Sequence, residues 1–203
     1  YFVKAQNFRI TDDHLGEGGA KTKYAFNIAA IQTLKQIEAE GRQARPDEQE
    51  ILSRYVGWGG IPQAFDEENT QWSEEYRQLK ELLTEKEYDA ARSSTLNAHY
   101  TSPTVIRAMY DAIEKMGFRT GNVLEPSCGV GNFFGMLPDD MSSSRLYGVE
   151  LDSITGRIAR QLYPDARITI SGFEKTQRRD FFDLAIGNVP FGGYKVSDKQ
   201  FDK

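Results

Sequence analysis

The sequence predicts an α/β fold in which a mostly parallel sheet carries helices on both faces. Short apolar runs alternate with helical patterns through the second half of the chain, which is typical of parallel strands joined by crossover helices. Over residues 122–134, one apolar run enters a glycine turn and then a helix start. Glu150 ends the next apolar run, roughly 20 residues after the first glycine of that turn, where an acid accepts hydrogen bonds from ribose hydroxyls. The pattern therefore predicts a site for a small ligand that carries a ribose.

The amino-terminal part of the chain is predicted to be a separate helical region. After an irregular lead-in, helical patterns cover residues 21–40, the stretch that follows Pro46, residues 70–83 and the stretch that begins at Thr84. The pattern changes to alternating strands and helices near Leu96. This change predicts two domains, at residues 1–95 and 96–203.

The elements of the second domain follow in order. Ser102 and Pro103 predict a helix start, as cap and first helical residue. Strands are predicted at residues 122–125, 146–150, 167–170 and 184–187, with a helix at residues 153–163. Parallel sheets bind ligands beyond the carboxyl ends of their strands, so the loops that follow these strands are the candidate site.

Three local features predict structure rather than chemistry. Trp58 lies among glycines and is predicted to form a packed corner rather than a platform for a ligand. Thr84 and Glu87 have the spacing of a capping box. Cys128 is predicted to be a small residue in the glycine turn rather than a reactive thiol.

Composition limits the functions that the chain can have. The net charge of −5 is well short of the basic balance of a domain that grips nucleic acid over a broad face, so any contact with DNA must be local or must come from regions absent from this chain. A single cysteine excludes an internal disulfide and offers no spacing partner for a metal cluster, so no metal site is expected. No apolar stretch is long enough to span a membrane and no leader is apparent, which predicts a cytoplasmic protein without membrane contact.

Two segments resemble the motifs of adenine-N6 DNA methyltransferases. Glu125-Pro126-Ser127-Cys128-Gly129-Val130-Gly131 is similar to their S-adenosylmethionine motif, and Asn188-Val189-Pro190-Phe191 is similar to their Asn-Pro-Pro-aromatic catalytic motif. His99-Tyr100-Thr101-Ser102-Pro103 precedes both, as a Tyr-Thr-x-Pro segment does in the gamma group of the family. The resemblance implies a Rossmann-like methyltransferase core that binds S-adenosylmethionine and transfers its methyl group to DNA.

The resemblance also implies which residues bind the cofactor. They are Tyr100, Thr101, Glu125, Pro126, Ser127, Gly129, Gly131, Glu150, Leu151 and Phe173. Tyr100 and Thr101 would hold the amino-acid end, and Glu125 would receive its ammonium group. Glu150 would bind the ribose, and the glycines would let the backbone approach the ligand.

The implied catalytic residues are Asn188, Pro190 and Phe191. The lone pair of an adenine amino group is drawn into the ring, so a methyl acceptor needs hydrogen-bond acceptors on its N–H groups. The Asn188 oxygen and a nearby backbone carbonyl would supply them. Phe191 would stack on an adenine turned out of the DNA helix.

Two positions depart from the family pattern. Val189 replaces the first proline of the catalytic motif, and Gly172 stands where the family commonly has an Asp that binds the adenine of the cofactor. Glu174 or a backbone carbonyl is the candidate substitute for that Asp.

These departures leave two alternatives open beside DNA methylation. One is a non-catalytic cofactor-binding module, and the other is a methyltransferase acting on a protein glutamine. A nicotinamide dehydrogenase is disfavoured because Phe134 stands where a third glycine is needed.

The chain also resembles the amino-terminal methylase part of very large helicase-methylase proteins of conjugative elements and phages. The first residue is Tyr1 rather than Met, and the chain stops at Lys203, shortly after the catalytic motif. We therefore expect a fragment whose parent carries helicase-like domains and DNA-binding regions. The fragment is expected to bind cofactor without methylating DNA alone.

Overall fold

The computed structural model describes residues 5–96 and 100–189. The helices are α1 (Ala20–Ala39), α2 (Pro46–Ser53), α3 (Ser73–Leu82), α4 (Glu85–Ser94), α5 (Pro103–Lys115), α6 (Asn132–Gly135) and α7 (Ser153–Leu162). The strands are β1 (Asn122–Glu125), β2 (Arg145–Glu150), β3 (Arg167–Ile170) and β4 (Leu184–Ala185). The helical region and the alternating strands and helices therefore follow the predicted order.

The strands form one parallel sheet in the order β3-β2-β1-β4. Val123 of β1 lies opposite Leu146 of β2 on one side and Leu184 of β4 on the other. The chain thus builds outward from β1 to β3 and then returns to place β4 on the opposite side of β1. This reversal between β1 and β4 is the switch point at which open α/β sheets bind their ligands, and it confirms the predicted Rossmann-like α/β fold.

The two faces of the sheet are covered differently. On one face, Val123, Leu146 and Ile168 belong to the main hydrophobic core together with the buried side of α7. On the other face, an aromatic pair, Phe181 and Phe182, packs against Leu124, Tyr147 and Val149. The sequence predicts helices on both faces of the sheet. Among the described residues, an irregular segment that carries Phe181 and Phe182 covers this face instead.

The helical region shares its core with the sheet. The predicted apolar stripe of α1 is buried, and α1 and α2 pack against each other and against α7. Buried residues of the helical region and of the strands form one continuous cluster. The domain boundary after residue 95 stays a prediction. The two regions form a common core across it.

The local predictions for the helical region are confirmed. Trp58 is buried, and its ring packs edge-on against Tyr24, Tyr55 and Phe65 as a packed corner. The capping box of α4 is complete: the Thr84 side chain accepts a hydrogen bond from the Glu87 backbone, and the Glu87 side chain accepts one from the Thr84 backbone. Within residues 5–96 and 100–189, none of the helices combines the length and the hydropathy that crossing a bilayer requires.

Candidate ligand-binding site

A cavity of about 510 Å³ opens at the carboxyl ends of the strands, a size typical of small-molecule sites. Its floor and sides come from the segments that follow β1, β2, β3 and β4, as the sequence predicts. The residues from these segments are Pro126, Ser127, Cys128, Gly129, Val130, Leu151, Asp152, Ser171, Gly172, Phe173, Glu174 and Asn188. Glu125 and Glu150, the last residues of β1 and β2, also line it.

The loop after β1 is a tight glycine turn. Gly129 and Gly131 both have positive φ, 55° and 87°, in the left-handed region that favours glycine. The Cys128 N–H donates to the Val149 carbonyl oxygen at 2.9 Å, and this hydrogen bond holds the loop against β2. The turn therefore has a fixed position over the end of the sheet.

The two glycines of this turn have different surroundings. A side chain at Gly129 would meet open space, so a ligand can approach its backbone. A Cβ at Gly131 would lie 2.6 Å from the Tyr163 ring. Gly131 therefore makes room for a core residue, although the resemblance implies that it faces the cofactor. The structure places only Gly129 at the cavity.

Cys128 packs as a small residue. A Cβ at Gly148 of β2 would lie 2.8 Å from the Cys128 Sγ, so the thiol fits only because that strand position is glycine. Burial raises the pKa of the Cys128 thiol well above its ordinary value. These features agree with the predicted structural role of this cysteine.

Glu150 joins two loops of the site. Its Oε2 accepts a hydrogen bond from the Gly129 N–H and its Oε1 accepts one from the Asp152 N–H, both at 2.8 Å. Burial raises the pKa of this carboxyl group, and the two backbone N–H groups partly oppose that rise. A carboxylate has further acceptor sites, so these contacts leave capacity for a ribose hydroxyl. Nothing in the spacing of the motif predicts that Glu150 holds these two loops together.

Glu125 is the most unusual residue of the cavity. Its side chain is 3% exposed, and among the described residues its Oε2 is buried without a hydrogen-bond partner. Burial, with the charge of Glu150 as a smaller cause, raises the pKa of Glu125 well above its ordinary value. Buried acceptors without partners are uncommon and require an explanation. A ligand with a positively charged N–H donor would satisfy this oxygen.

Asn188 and the segment before α5 meet at the cavity. The Asn188 Nδ2 donates to the Thr101 Oγ1 at 3.3 Å, although 87 positions separate them in the chain. Tyr100 also lines the cavity, and its hydroxyl donates to the Leu15 carbonyl oxygen. Ser102 occupies the predicted cap position of α5 but makes no side-chain capping bond. Pro190 and Phe191, the other predicted catalytic residues, lie outside the described residues.

The segment after β3 carries an aromatic residue and an acid. Phe173 is 50% exposed and Leu151 is 76% exposed, although both line the cavity. The Glu174 carboxylate folds back onto Gly172, where a Cβ would overlap both of its oxygens. An acidic group therefore occupies the space beside the position at which the family commonly carries Asp.

The cavity is electronegative. Four carboxyl groups line it, and no Lys, Arg or His does so within residues 5–96 and 100–189; the acids are Glu125, Glu150, Asp152 and Glu174. Such a lining favours a cationic ligand and disfavours a pyrophosphate. Across the same described ranges, no group of three or more His, Cys, Asp or Glu side chains is arranged to hold a metal ion.

The helical region supplies a wall that sequence reasoning missed. Its residues at the cavity are Tyr55, Val56, Gly57, Ala90, Ser93 and Ser94. They come from the turn after α2 and from the second half of α4. The small side chains at the end of α4 are the one sequence feature that could have indicated a nearby opening, but nothing in their spacing separates them from surface residues.

No protein-family model matches the chain. The chain is 27% identical over 191 residues to the Defense against restriction protein B of Escherichia phage P1. The matched segment covers 93% of this chain and 7% of that protein. It is 35% identical over 79 residues to a type II methyltransferase of Paramecium bursaria Chlorella virus XZ-6E, covering 38% of this chain and 21% of that protein. The chain thus spans a small part of each curated relative.

One solved structure is a distant neighbour. It is a candidate class I S-adenosylmethionine-dependent methyltransferase from Listeria monocytogenes, with 14% sequence identity and a TM-score of 0.41 over 88% of this chain and 62% of that one. The α/β fold of this chain is defined by its own strand order and parallel register.

Proposed function

We propose that this chain binds S-adenosylmethionine in the cavity and forms part of a DNA methyltransferase that acts on the N6 amino group of adenine. The observation that carries the proposal is the buried Glu125 oxygen without a partner, in a cavity that four carboxyl groups line. S-adenosylmethionine supplies, when bound, a reactive methyl group on a positively charged sulfur. Its ammonium group is a donor that matches the Glu125 oxygen.

The residues present fit this cofactor better than a dinucleotide. Gly129 leaves open space above the turn, and Glu150 keeps acceptor capacity for ribose hydroxyls. Glu174 offers a carboxylate beside the aromatic Phe173 and takes the place of the absent Asp. A pyrophosphate would meet four acids and no cation among the described lining residues. The charge of the cavity therefore supports the sulfonium cofactor over NAD.

Asn188 supports an amino group as the methyl acceptor. Its Nδ2 donates to the Thr101 Oγ1, and its Oδ1 is an acceptor for an N–H of the target. Gripping that N–H keeps electron density on the nitrogen that receives the methyl group. The protein needs no nucleophile of its own for this reaction. The similarity to a viral type II methyltransferase over 79 residues is consistent with this class of chemistry.

Isothermal titration calorimetry tests the cofactor. We expect heat with S-adenosylmethionine and none with NAD. Glu125→Gln should weaken binding about 10- to 100-fold, since a hydrogen bond to a charged group contributes about 1.5 to 3 kcal/mol. The exposed Glu114→Gln is the matched control and should bind as the wild type does. Binding of NAD, or no heat with S-adenosylmethionine, would overturn the proposal.

Methyl transfer tests the substrate. The assay uses the protein at its full natural length, because this chain matches only 7% and 21% of the two curated relatives. We expect tritium from labelled cofactor to appear in DNA as N6-methyladenine, and Asn188→Ala to abolish it. Label in a protein glutamine would replace the DNA assignment. Cofactor binding without any transfer would instead favour a non-catalytic module.

A further inference from the structure

We propose that residues 12–17, which we call the strap, position Tyr100 and through it the ligand-binding site. This inference rests on the proposed cofactor site and adds a positioning element that lies outside its motifs. The strap belongs to the irregular lead-in, to which the sequence assigns no chemistry.

The strap contacts Tyr100 through two neighbouring residues. The Tyr100 hydroxyl donates to the Leu15 carbonyl oxygen. The next residue, Gly16, has a φ of 83°, and a Cβ there would lie 2.7 Å from the Tyr100 Cζ. The ring therefore keeps its place only because Gly16 has no side chain, and a larger residue would displace it.

The strap itself is fixed to the body of the protein. Asp13 forms an ion pair with Arg107 of α5. Upstream, the Phe8 N–H donates to the Leu162 carbonyl oxygen at 2.8 Å, and the Ile10 N–H donates to the Gly135 carbonyl oxygen at 2.9 Å. These contacts hold the segment along α6 and α7, so it can resist displacement of the ring.

Tyr100 connects the strap to the ligand-binding site. It lines the cavity, and its neighbour Thr101 accepts the hydrogen bond from Asn188. The hydroxyl proton is committed to Leu15 and the Asn132 side chain hydrogen-bonds to the hydroxyl oxygen, so a ligand meets the aromatic ring rather than a donor. Burial raises the pKa of Tyr100 to about 12, so the hydroxyl stays protonated at neutral pH. An aromatic wall of this kind suits a cationic ligand.

Gly16→Ala tests the strap against a control with the same backbone strain. Gly117 has a φ of 93° and open space around its Cα, so Gly117→Ala strains the backbone without touching a neighbour. We expect Gly16→Ala to weaken S-adenosylmethionine binding at least 10-fold and Gly117→Ala to leave it unchanged, with both variants verified as folded by thermal melting. Equal affinities of Gly16→Ala and wild type would overturn the proposal.

A double mutant separates positioning from general damage. In a Tyr100→Ala background the ring is gone, so Gly16→Ala should cause no further loss of affinity. The same loss in both backgrounds would show that the strap acts independently of Tyr100 and would contradict the inference.

A measurement without ligand keeps this inference distinct from the proposed function. The side-chain amide resonances of Asn188 should shift in Gly16→Ala and stay unchanged in Gly117→Ala. If wild type fails to bind the cofactor but these resonances shift, the strap stands and the cofactor assignment fails. If the cofactor binds and the resonances do not shift, the strap proposal fails alone.

Discussion

Glu125 is a residue whose burial lowers the stability of the ligand-free protein. Its carboxyl is buried and its pKa is raised, chiefly by burial. A group with a raised folded pKa contributes most to stability below its unfolded pKa, and that contribution is lost as the pH rises through the folded value. Glu125→Gln should therefore increase the free energy of unfolding by about 1 to 3 kcal/mol at neutral pH and by little in acid.

Urea unfolding of wild type and Glu125→Gln, from acid to neutral pH, measures the effect. Glu114→Gln should show no such growth with pH, because Glu114 is exposed. A difference between Glu125→Gln and wild type that is the same at every pH would mean that the buried carboxyl is not the cause. The expected pattern also implies that the substitution which stabilises the fold weakens cofactor binding, as is common for binding sites.

Single residues also mark the limit of what the sequence predicts about the site. Spacing places Glu125 and Glu150 at the ends of β1 and β2 and Asn188 shortly after β4, and the structure brings all three to one cavity. Spacing does not say which way a residue faces. Gly129 and Gly131 look equivalent in the motif, yet only one of them lines the cavity. Their difference depends on long-range packing against Tyr163, for which a motif carries no signal.

The Glu87 side chain stabilises the start of α4 and links this helix to two others. Glu87 completes the capping box with Thr84, and its carboxylate also accepts hydrogen bonds from Lys35 and Arg157. Burial works to raise its pKa, but the hydrogen bonds from Lys35, Thr84 and Arg157 outweigh it and lower the pKa to about 2. Glu87 thus connects α1, α4 and α7.

Glu87→Ala should lower the free energy of unfolding by about 2 to 4 kcal/mol at neutral pH, because it removes the cap, takes the carboxylate partner from Lys35 and leaves Arg157 paired with Glu38 alone. The loss should shrink as the pH falls from about 4.5 towards 2, since the wild-type carboxylate is itself protonated there. Denaturant unfolding at each pH measures it. Glu85→Ala, at an exposed position of the same first turn, should change the stability by less than about 0.5 kcal/mol. Equal effects of the two substitutions would contradict the role of Glu87.

The elements themselves were largely predictable because their signals are local. Periodicity predicts a helix at residues 21–40, and α1 spans Ala20–Ala39. Proline and the capping box correctly mark the starts of α2 and α4. The strap carries no periodic pattern, and its contacts with Tyr100 and Arg107 join distant parts of the chain. Such contacts could not be predicted from composition or spacing.

At the scale of the whole molecule, the two regions that the sequence predicts as separate domains share one hydrophobic core and one cavity. The change of pattern near Leu96 marks where one kind of element gives way to another, but it does not say what packs against what. In the structure, α1 and α2 pack on α7, and the turn after α2 lines the ligand cavity. Both the core and the site therefore require the helical region.

The shared core predicts that the two regions unfold together. Trp58 and Trp72, the only tryptophans of the chain, lie in the helical region, whereas Cys128, the only cysteine, is buried beside β2. Tryptophan fluorescence and thiol labelling therefore report on different regions, and in urea their transitions should coincide. Cys128→Ala, which should show no labelling, checks that the thiol signal comes from this residue. Loss of tryptophan signal at lower urea, with Cys128 still protected, would instead establish two independent domains.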